Sequence, residues 1–234
     1  ADNNTAVGYS SLVANTTGTT NSALGTEALL TNTVGASNTA VGYQSLKLAT
    51  TASNNTSVGY RALRTNTTGG SNVAVGYSAL YANTTGANNT VSGYQALEAN
   101  TTASYSTAFG YRALRAGTTG GFNTGIGYEA GYTNTTGVQN TFLGMQCIGN
   151  AAGTNNQNVI GYNVVSAGAS LTTVGINANK SWLGNGSTSW GGNSDSRLKN
   201  NITTSAAGLS FINDLRPVTY EWKAKGDVPV ELDS

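Results

Sequence analysis

The string Asn-Thr-Ala-Val-Gly-Tyr recurs, with substitutions, through the first part of the chain. On an extended backbone its Thr, Val and Tyr fall on one side, and its Asn, Ala and Gly on the other. This period of two predicts a short strand. Between strands lie Thr-Thr-Gly and neighbouring Asn residues, which carry turn chemistry because Gly and Asn tolerate positive φ. No apolar stripe of helical period accompanies them.

The pattern is strictly periodic. Gly8, Gly25, Gly42, Gly59, Gly76, Gly93, Gly110, Gly127, Gly144 and Gly161 are each 17 residues apart. Beyond them the register loosens, with Gly175 after 14 residues and Gly184 after nine. Other columns keep the same step. The residue before the anchor is mostly Val, Leu or Ile, from Val7 to Ile160. Four residues after it stand Leu12, Leu29, Leu46, Leu63, Leu80, Leu97 and Leu114, then Gly131, Ile148 and Val165. Four before it stand Asn4, Asn21, Asn38, Asn55, Asn72 and Asn89, then Ser106, Asn123, Asn140 and Gln157. Thr occupies the eighth position after the anchor in eight repeats, from Thr16 to Thr135.

Seventeen residues are too few for a βαβ unit and suit one coil of a β-solenoid. The expectation is an all-β solenoid, or β-roll, over residues 1–176. At about 4.8 Å per coil the nine equal intervals make a rod on the order of 43 Å long. Each column then becomes a ladder in which Asn side chains hydrogen-bond from coil to coil and Tyr rings stack.

Composition narrows the chemistry. Thr, Gly and Asn contribute 35, 31 and 29 of 234 residues, and only 9% are charged. The absence of His excludes a Ser-His-Asp triad, a Cys-His pair and a His-ligated metal. One Cys permits no internal disulfide. Cys147 falls in the small-residue column of Ala62, Ala79 and Ala96, and reads as a packed thiol. No cofactor or metal is expected. A net charge of +1 offers no basic field for nucleic acid, and the short apolar runs offer no membrane insertion. The chain opens Ala1-Asp2-Asn3-Asn4 without a Met and reads as a processed chain or a fragment.

Eight of the ten charges before residue 194 stand two or five residues after an anchor: Glu27, Arg61, Arg112 and Glu129, and Lys47, Arg64, Glu98 and Arg115. These columns mark the solvent face. Each coil offers only about two large aliphatics and a Tyr, less than a self-sufficient core needs. Several chains sharing one axial core are therefore expected, and three are the simplest closed arrangement for a fibre.

The recurrent Ala-Val-Gly-Tyr and Asn-Thr-Ala-Val-Gly strings, over about residues 3–176, resemble the head repeats of trimeric autotransporter adhesins and similar stretches of bacteriophage tail fibres. The resemblance implies a trimeric β-solenoid.

The chain changes character at residue 194. Residues 1–193 hold ten charges and no Pro; residues 194–234 hold the other eleven charges and both Pro. A Gly- and Trp-rich transition over residues 177–193, with Trp182 and Trp190, separates them. Beyond it, Ser205 predicts the cap of a short helix through Leu215 that Pro217 ends, followed by a strand over Val218–Trp222, a small α+β segment. Ser194-Asp195-Ser196-Arg197-Leu198-Lys199-Asn200-Asn201-Ile202 and Leu215-Arg216-Pro217-Val218-Thr219-Tyr220-Glu221-Trp222 resemble the start of the endosialidase-type intramolecular chaperone domain, the S74 peptidase family. Such domains end many phage tail fibres and tailspikes. The resemblance implies a domain that trimerises, guides the preceding β-fibre into register and cuts itself off with a Ser-Lys dyad. Ser194 matches the nucleophile and Lys199 the base, with cleavage beside Ser194 and Asp195. A Lys whose pKa burial lowers can replace His as that base. The family's domain runs to roughly a hundred residues, an ordinary domain size; 41 remain here from Ser194 on, the N-terminal part of one.

These readings converge on a structural and adhesive segment of a viral tail fibre or spike, extracellular on the virion. Its partners would be two further copies of itself, other tail proteins and a host surface receptor or glycan. Any enzymatic activity is confined to self-cleavage. The alternatives are an ice-binding solenoid, suggested by the Thr rank, and the head of a bacterial trimeric adhesin.

Overall fold

The computed structural model describes residues 2–184, Ser187 and the backbone of Gly191–Gly192. They belong to one compact unit, Ala1–Asn193. The helix expected over 205–215, the strand over 218–222 and Trp190 lie outside the described residues.

The unit is a β-solenoid of 17-residue coils, as the periodicity predicts. Each coil contributes one short strand: β1 (Thr5–Val7), β2 (Ser22–Leu24), β3 (Thr39–Val41), β4 (Thr56–Val58), β5 (Val73–Val75), β6 (Thr90–Ser92), β7 (Thr107–Phe109), β8 (Thr124–Ile126), β9 (Thr141–Met145), β10 (Asn158–Tyr162) and β11 (Leu171–Ile176). Strands β1 to β11 pair in chain order and in parallel, each residue opposite its counterpart one coil on. Eleven rungs span about 48 Å.

The register does not loosen at Gly175. Gly175 pairs with Gly161, which pairs with Gly144, so the last coil is three residues shorter but keeps its place in the stack. The chain then turns back: β12 (Asn179–Gly184) runs antiparallel to β11, with Trp182 opposite Thr173, and β13 (Gly191–Gly192) runs antiparallel to β12. Gly184 sits opposite Leu171 in this hairpin and is not an anchor.

Tight corners close each coil. The anchor glycines take φ between 120° and 142°, a region that side chains rarely enter. A Cβ on Gly25 would come within 2.6 Å of the Gly42 carbonyl oxygen, so the anchors are glycine because successive backbones touch there. Non-glycine residues also turn left-handed. The seven Leu of the column four after the anchor have φ of 48–55° and are buried. Their N–H groups donate to the next coil, as Leu63 does to Ala79 (3.0 Å).

The core is thin. It consists of that Leu column and Ala columns on either side of the anchor, such as Ala40 and Ala62. The aliphatic residue before the anchor is not part of it. Where Ser enters the core it enters as a pair: the Ser45 and Ser57 hydroxyls lie 2.7 Å apart, and Ser57 also donates to the Ala62 carbonyl (2.9 Å).

Two buried Asn ladders complete the interior. In the first, Oδ1 of each Asn accepts the backbone N–H of the residue one coil on, from Asn4 to Asn21 (2.8 Å) through Asn140 to Gln157 (2.9 Å). Its Nδ2 donates across the coil to a carbonyl, as Asn38 does to Ala52 (2.8 Å). Side-chain to side-chain bonds add to this at Asn38–Asn21, Asn55–Asn38 and Asn89–Asn72, each 3.1 Å. The second ladder comprises Asn15, Asn32, Asn66, Asn83, Asn100 and Asn134, read from the sequence as turn residues. All but Asn15 are buried, and Asn83 and Asn100 donate to the Asn one coil earlier (2.6 and 2.7 Å).

Candidate functional site

The strands place Thr and Val on the side opposite Ala, as the alternation predicts, and it is the Ala that faces inward and the Thr and Val outward. The outward residue before the anchor remains exposed in a single chain: Val7, Leu24, Val75, Phe109, Ile126 and Leu143 are all about 40–55% exposed. The residue after the anchor lies on the same side. Tyr43, Tyr60, Tyr77, Tyr94, Tyr111 and Tyr128 stack face to face with centroids 5.0–5.3 Å apart. Offset stacking of this kind adds about 0.5–1.5 kcal/mol per pair beyond the area buried. Tyr77 is still 44% exposed within the ladder. The result is a continuous apolar stripe along the rod. Scattered exposed apolar residues are ordinary; a contiguous face marks an interaction surface.

One corner departs from the repeat. Five residues before the anchor most coils place Asn, Ser or Thr at left-handed φ; two successive coils place Tyr105 and Phe122 there, both at φ 60°. Both are exposed and stacked, 5.0 Å between centroids.

The charged columns form a second face, where polar side chains interlock between coils. Glu27 Oε2 accepts from Lys47 Nζ and from Gln44 Nε2, both at 2.7 Å. These bonds, Lys47 first, hold the Glu27 carboxyl below its ordinary range, with the positive charges of Lys47 and Arg64 adding to the effect. Gln44 Oε1 accepts from Arg61 Nε (3.1 Å) and Arg64 Nε (3.0 Å). Farther along, Arg115 Nε donates to Glu98 Oε2 (2.9 Å), Arg112 Nε donates to Gln95 Oε1 (3.1 Å), and Arg112 Nη1 lies 3.9 Å from Glu129 Oε1. Arg61 and Arg112 each rest 5.0 Å from the centroid of the preceding Tyr ring. These charges are half-buried within a network, more ordered than a simple solvated face.

The Thr rank has an internal role. From Thr16 to Thr135 each hydroxyl donates to the carbonyl one coil on, at 2.9–3.2 Å. That bond accounts for the invariance of the rank. Cys147 is fully buried and its Sγ lies 3.0 Å from the Gly161 carbonyl oxygen. Desolvation pushes the thiol up, in keeping with a packed side chain. Among the described residues there is no cluster of three or more His, Cys, Asp or Glu suited to a metal, and no helix long and apolar enough to cross a membrane.

The expected dyad, Ser194 and Lys199, and Asp195 beside it lie outside the described residues. Comparison with known families supplies what the geometry there does not: residues 194–232 match the peptidase S74 family, described as chaperone of endosialidase. No curated protein and no solved structure matches the chain. The chain thus carries an S74-type chaperone segment directly behind a 17-residue-repeat β-solenoid.

Proposed function

We propose that this chain is the rod of a bacteriophage tail fibre or tailspike, displayed on the virion, that contacts the host cell surface as a homotrimer. The observation that carries the reading is the junction of a parallel β-solenoid with an S74 chaperone segment starting at residue 194. A spine whose rungs are three residues wide can pair out of register, because each strand resembles its neighbours. An intramolecular chaperone that holds three C-termini together addresses that hazard. Three chains that turn their exposed Val and Tyr columns toward a common axis share one core, which offsets the thin interior of each. A rigid trimeric rod repeats its loops, which suits multivalent contacts that are individually weak.

The chaperone segment, on this reading, removes itself once. Ser194 Oγ adds to the scissile carbonyl carbon while neutral Lys199 takes the hydroxyl proton. The proton passes to the leaving nitrogen as the C–N bond breaks, and water hydrolyses the resulting ester and regenerates Ser194. Cleavage within the chain needs no pocket for an external substrate. Expression of the full-length gene with Ser194→Ala and, separately, Lys199→Ala tests this. Each substitution leaves an uncut trimer where the unaltered protein is processed; unchanged processing rejects the dyad. Adsorption of the purified rod to host cells, in competition with intact virions, tests the adhesive role.

A further inference from the structure

The two arginine pairs look alike in sequence, Arg61 with Arg64 and Arg112 with Arg115, but the fold places them in different electrostatic company. Arg112 and Arg115 stand between Glu129 and Glu98, two cations against two carboxylates. Arg61 and Arg64 share a neutral acceptor, Gln44 Oε1, and no carboxylate of the described residues lies within ion-pair distance of either. Glu27, the acid of that cluster, is taken by Lys47 and Gln44. Three cations thus face one carboxylate.

The remaining contacts hold the pair in place. Each Arg Nε is fixed on Gln44, Arg61 rests on Tyr60, and Arg64 Nη1 donates to the Tyr81 hydroxyl at 3.3 Å. Two like charges held on one oxygen repel each other, and among the described residues no carboxylate forms an ion pair with either. Ser78 follows Arg61 in its column as Glu129 follows Arg112, and Lys47 precedes Arg64 as Glu98 precedes Arg115, so both acids that neutralise the second pair are absent from the first.

We propose that Arg61 and Arg64 form an oxyanion-binding site for an acidic polysaccharide. Guanidinium N–H groups not used on Gln44 or Tyr81 offer the planar fork that carboxylates and sulfates accept. A local excess of two charges on a nearly neutral chain suits a polymer with sparse charges, not the dense phosphates of nucleic acid. The open ladder of the rod lets a linear chain lie along it. This names the class of ligand for the adhesive reading and rests on that reading for its setting.

The test uses the full chain and four immobilised probes: polygalacturonate for carboxylate, dextran sulfate for sulfate, neutral dextran, and single-stranded DNA. The expected result is binding to polygalacturonate or dextran sulfate, weakened by salt, with none to dextran. The arm that binds identifies the anion. Arg61→Gln with Arg64→Gln reduces that binding more than tenfold, while Arg112→Gln with Arg115→Gln changes it less than twofold. Ser78→Glu keeps both arginines and places a carboxylate where Glu129 stands in the second cluster, cutting the local excess from two charges to one; it also reduces binding. Glu is tolerated at that backbone position, as Glu27 and Glu129 show. Equal loss from both arginine pairs, retention of binding by Ser78→Glu, DNA bound as tightly as the polysaccharides, or binding to neither acidic polymer overturns the site. Host adsorption that persists in such a case leaves the adhesive reading standing and rejects only this ligand.

Discussion

Gly131 and Phe142 occupy one volume. Seven coils place Leu where Gly131 stands, and a Cβ on Gly131 would overlap the Phe142 ring. Phe142 in turn occupies the column of Ala40, Ala74 and Ala108, and its buried ring fills the space that the missing Leu leaves. The repeat changes two residues here but keeps the packing.

That relationship predicts strong coupling. Phe142→Ala alone opens a cavity and costs about 3–5 kcal/mol. Gly131→Leu alone overpacks and costs about 1–3 kcal/mol or more. The double substitution restores the arrangement of the earlier coils and costs less than Phe142→Ala alone. Urea unfolding of the four proteins gives the interaction energy directly. Simple additivity would show that the two residues do not share this space.

The left-handed Leu column inverts a familiar order of substitutions. Leu63 is buried at φ 48°, a conformation that costs a side chain about 1–2 kcal/mol. Leu63→Ala forms a cavity and keeps that strain; Leu63→Gly forms a slightly larger cavity and removes it. Leu63→Gly is therefore no more destabilising than Leu63→Ala in denaturant melts. A glycine variant less stable by about 1 kcal/mol, as in ordinary helices and strands, would contradict the account of the column.

The second Asn ladder is interrupted at Ala49, Gly117 and Ala151, and two of these gaps leave an orphaned oxygen. Asn32 Oδ1 and Asn134 Oδ1 are buried without a hydrogen-bond partner, and the residues one coil on are Ala49 and Ala151. Ala49→Asn rebuilds the first gap, with its Nδ2 donating to Asn32 Oδ1 as Asn83 donates to Asn66 (2.6 Å). The expected gain is about 1 kcal/mol, the net worth of a buried hydrogen bond. A lower midpoint in thermal or urea unfolding would show that the site does not accept the longer side chain.

The Glu27 carboxyl is held below its ordinary range by Lys47 and Gln44, which gives a pH dependence of known sign. A carboxyl lowered in the folded state contributes stability that is present above its unfolded pKa and lost as the pH falls through its folded one. Glu27→Gln therefore lowers the unfolding midpoint at pH 7, and the difference from the unaltered chain shrinks as the pH falls through the acid range in which the folded carboxyl is protonated. A difference that persists in acid would assign the effect to packing.

Much of this was legible from column identity alone. The 17-residue step, the separation of Ala from Val and Tyr on opposite sides of the strand, and the stacked Tyr follow from residue type at a fixed interval, because parallel stacking places like on like. The Asn at 32, 66, 83, 100 and 134 do bond within their turns as read, each to the carbonyl three residues on, but their burial and ladder were not legible, since an Asn beside Thr-Thr-Gly has the same local chemistry in an open turn or a buried one. The left-handed Leu was not foreseen, because Leu carries no turn preference and only tertiary packing holds it there. Nor did charge columns reveal which arginines are neutralised. That depends on which acid lies one coil away and which acceptor each guanidinium shares.

The central claim is that the exposed stripe of Val and Tyr closes against two further copies of the same chain. The solution mass of the intact chain carrying Ser194→Ala, measured by light scattering or sedimentation, tests it most directly. Three chains of 23.8 kDa give about 71 kDa, and Val58→Lys with Val75→Lys, placing charges on that stripe, disrupts the assembly. A monodisperse 23.8 kDa species, or a trimer indifferent to lysines on the stripe, would contradict it.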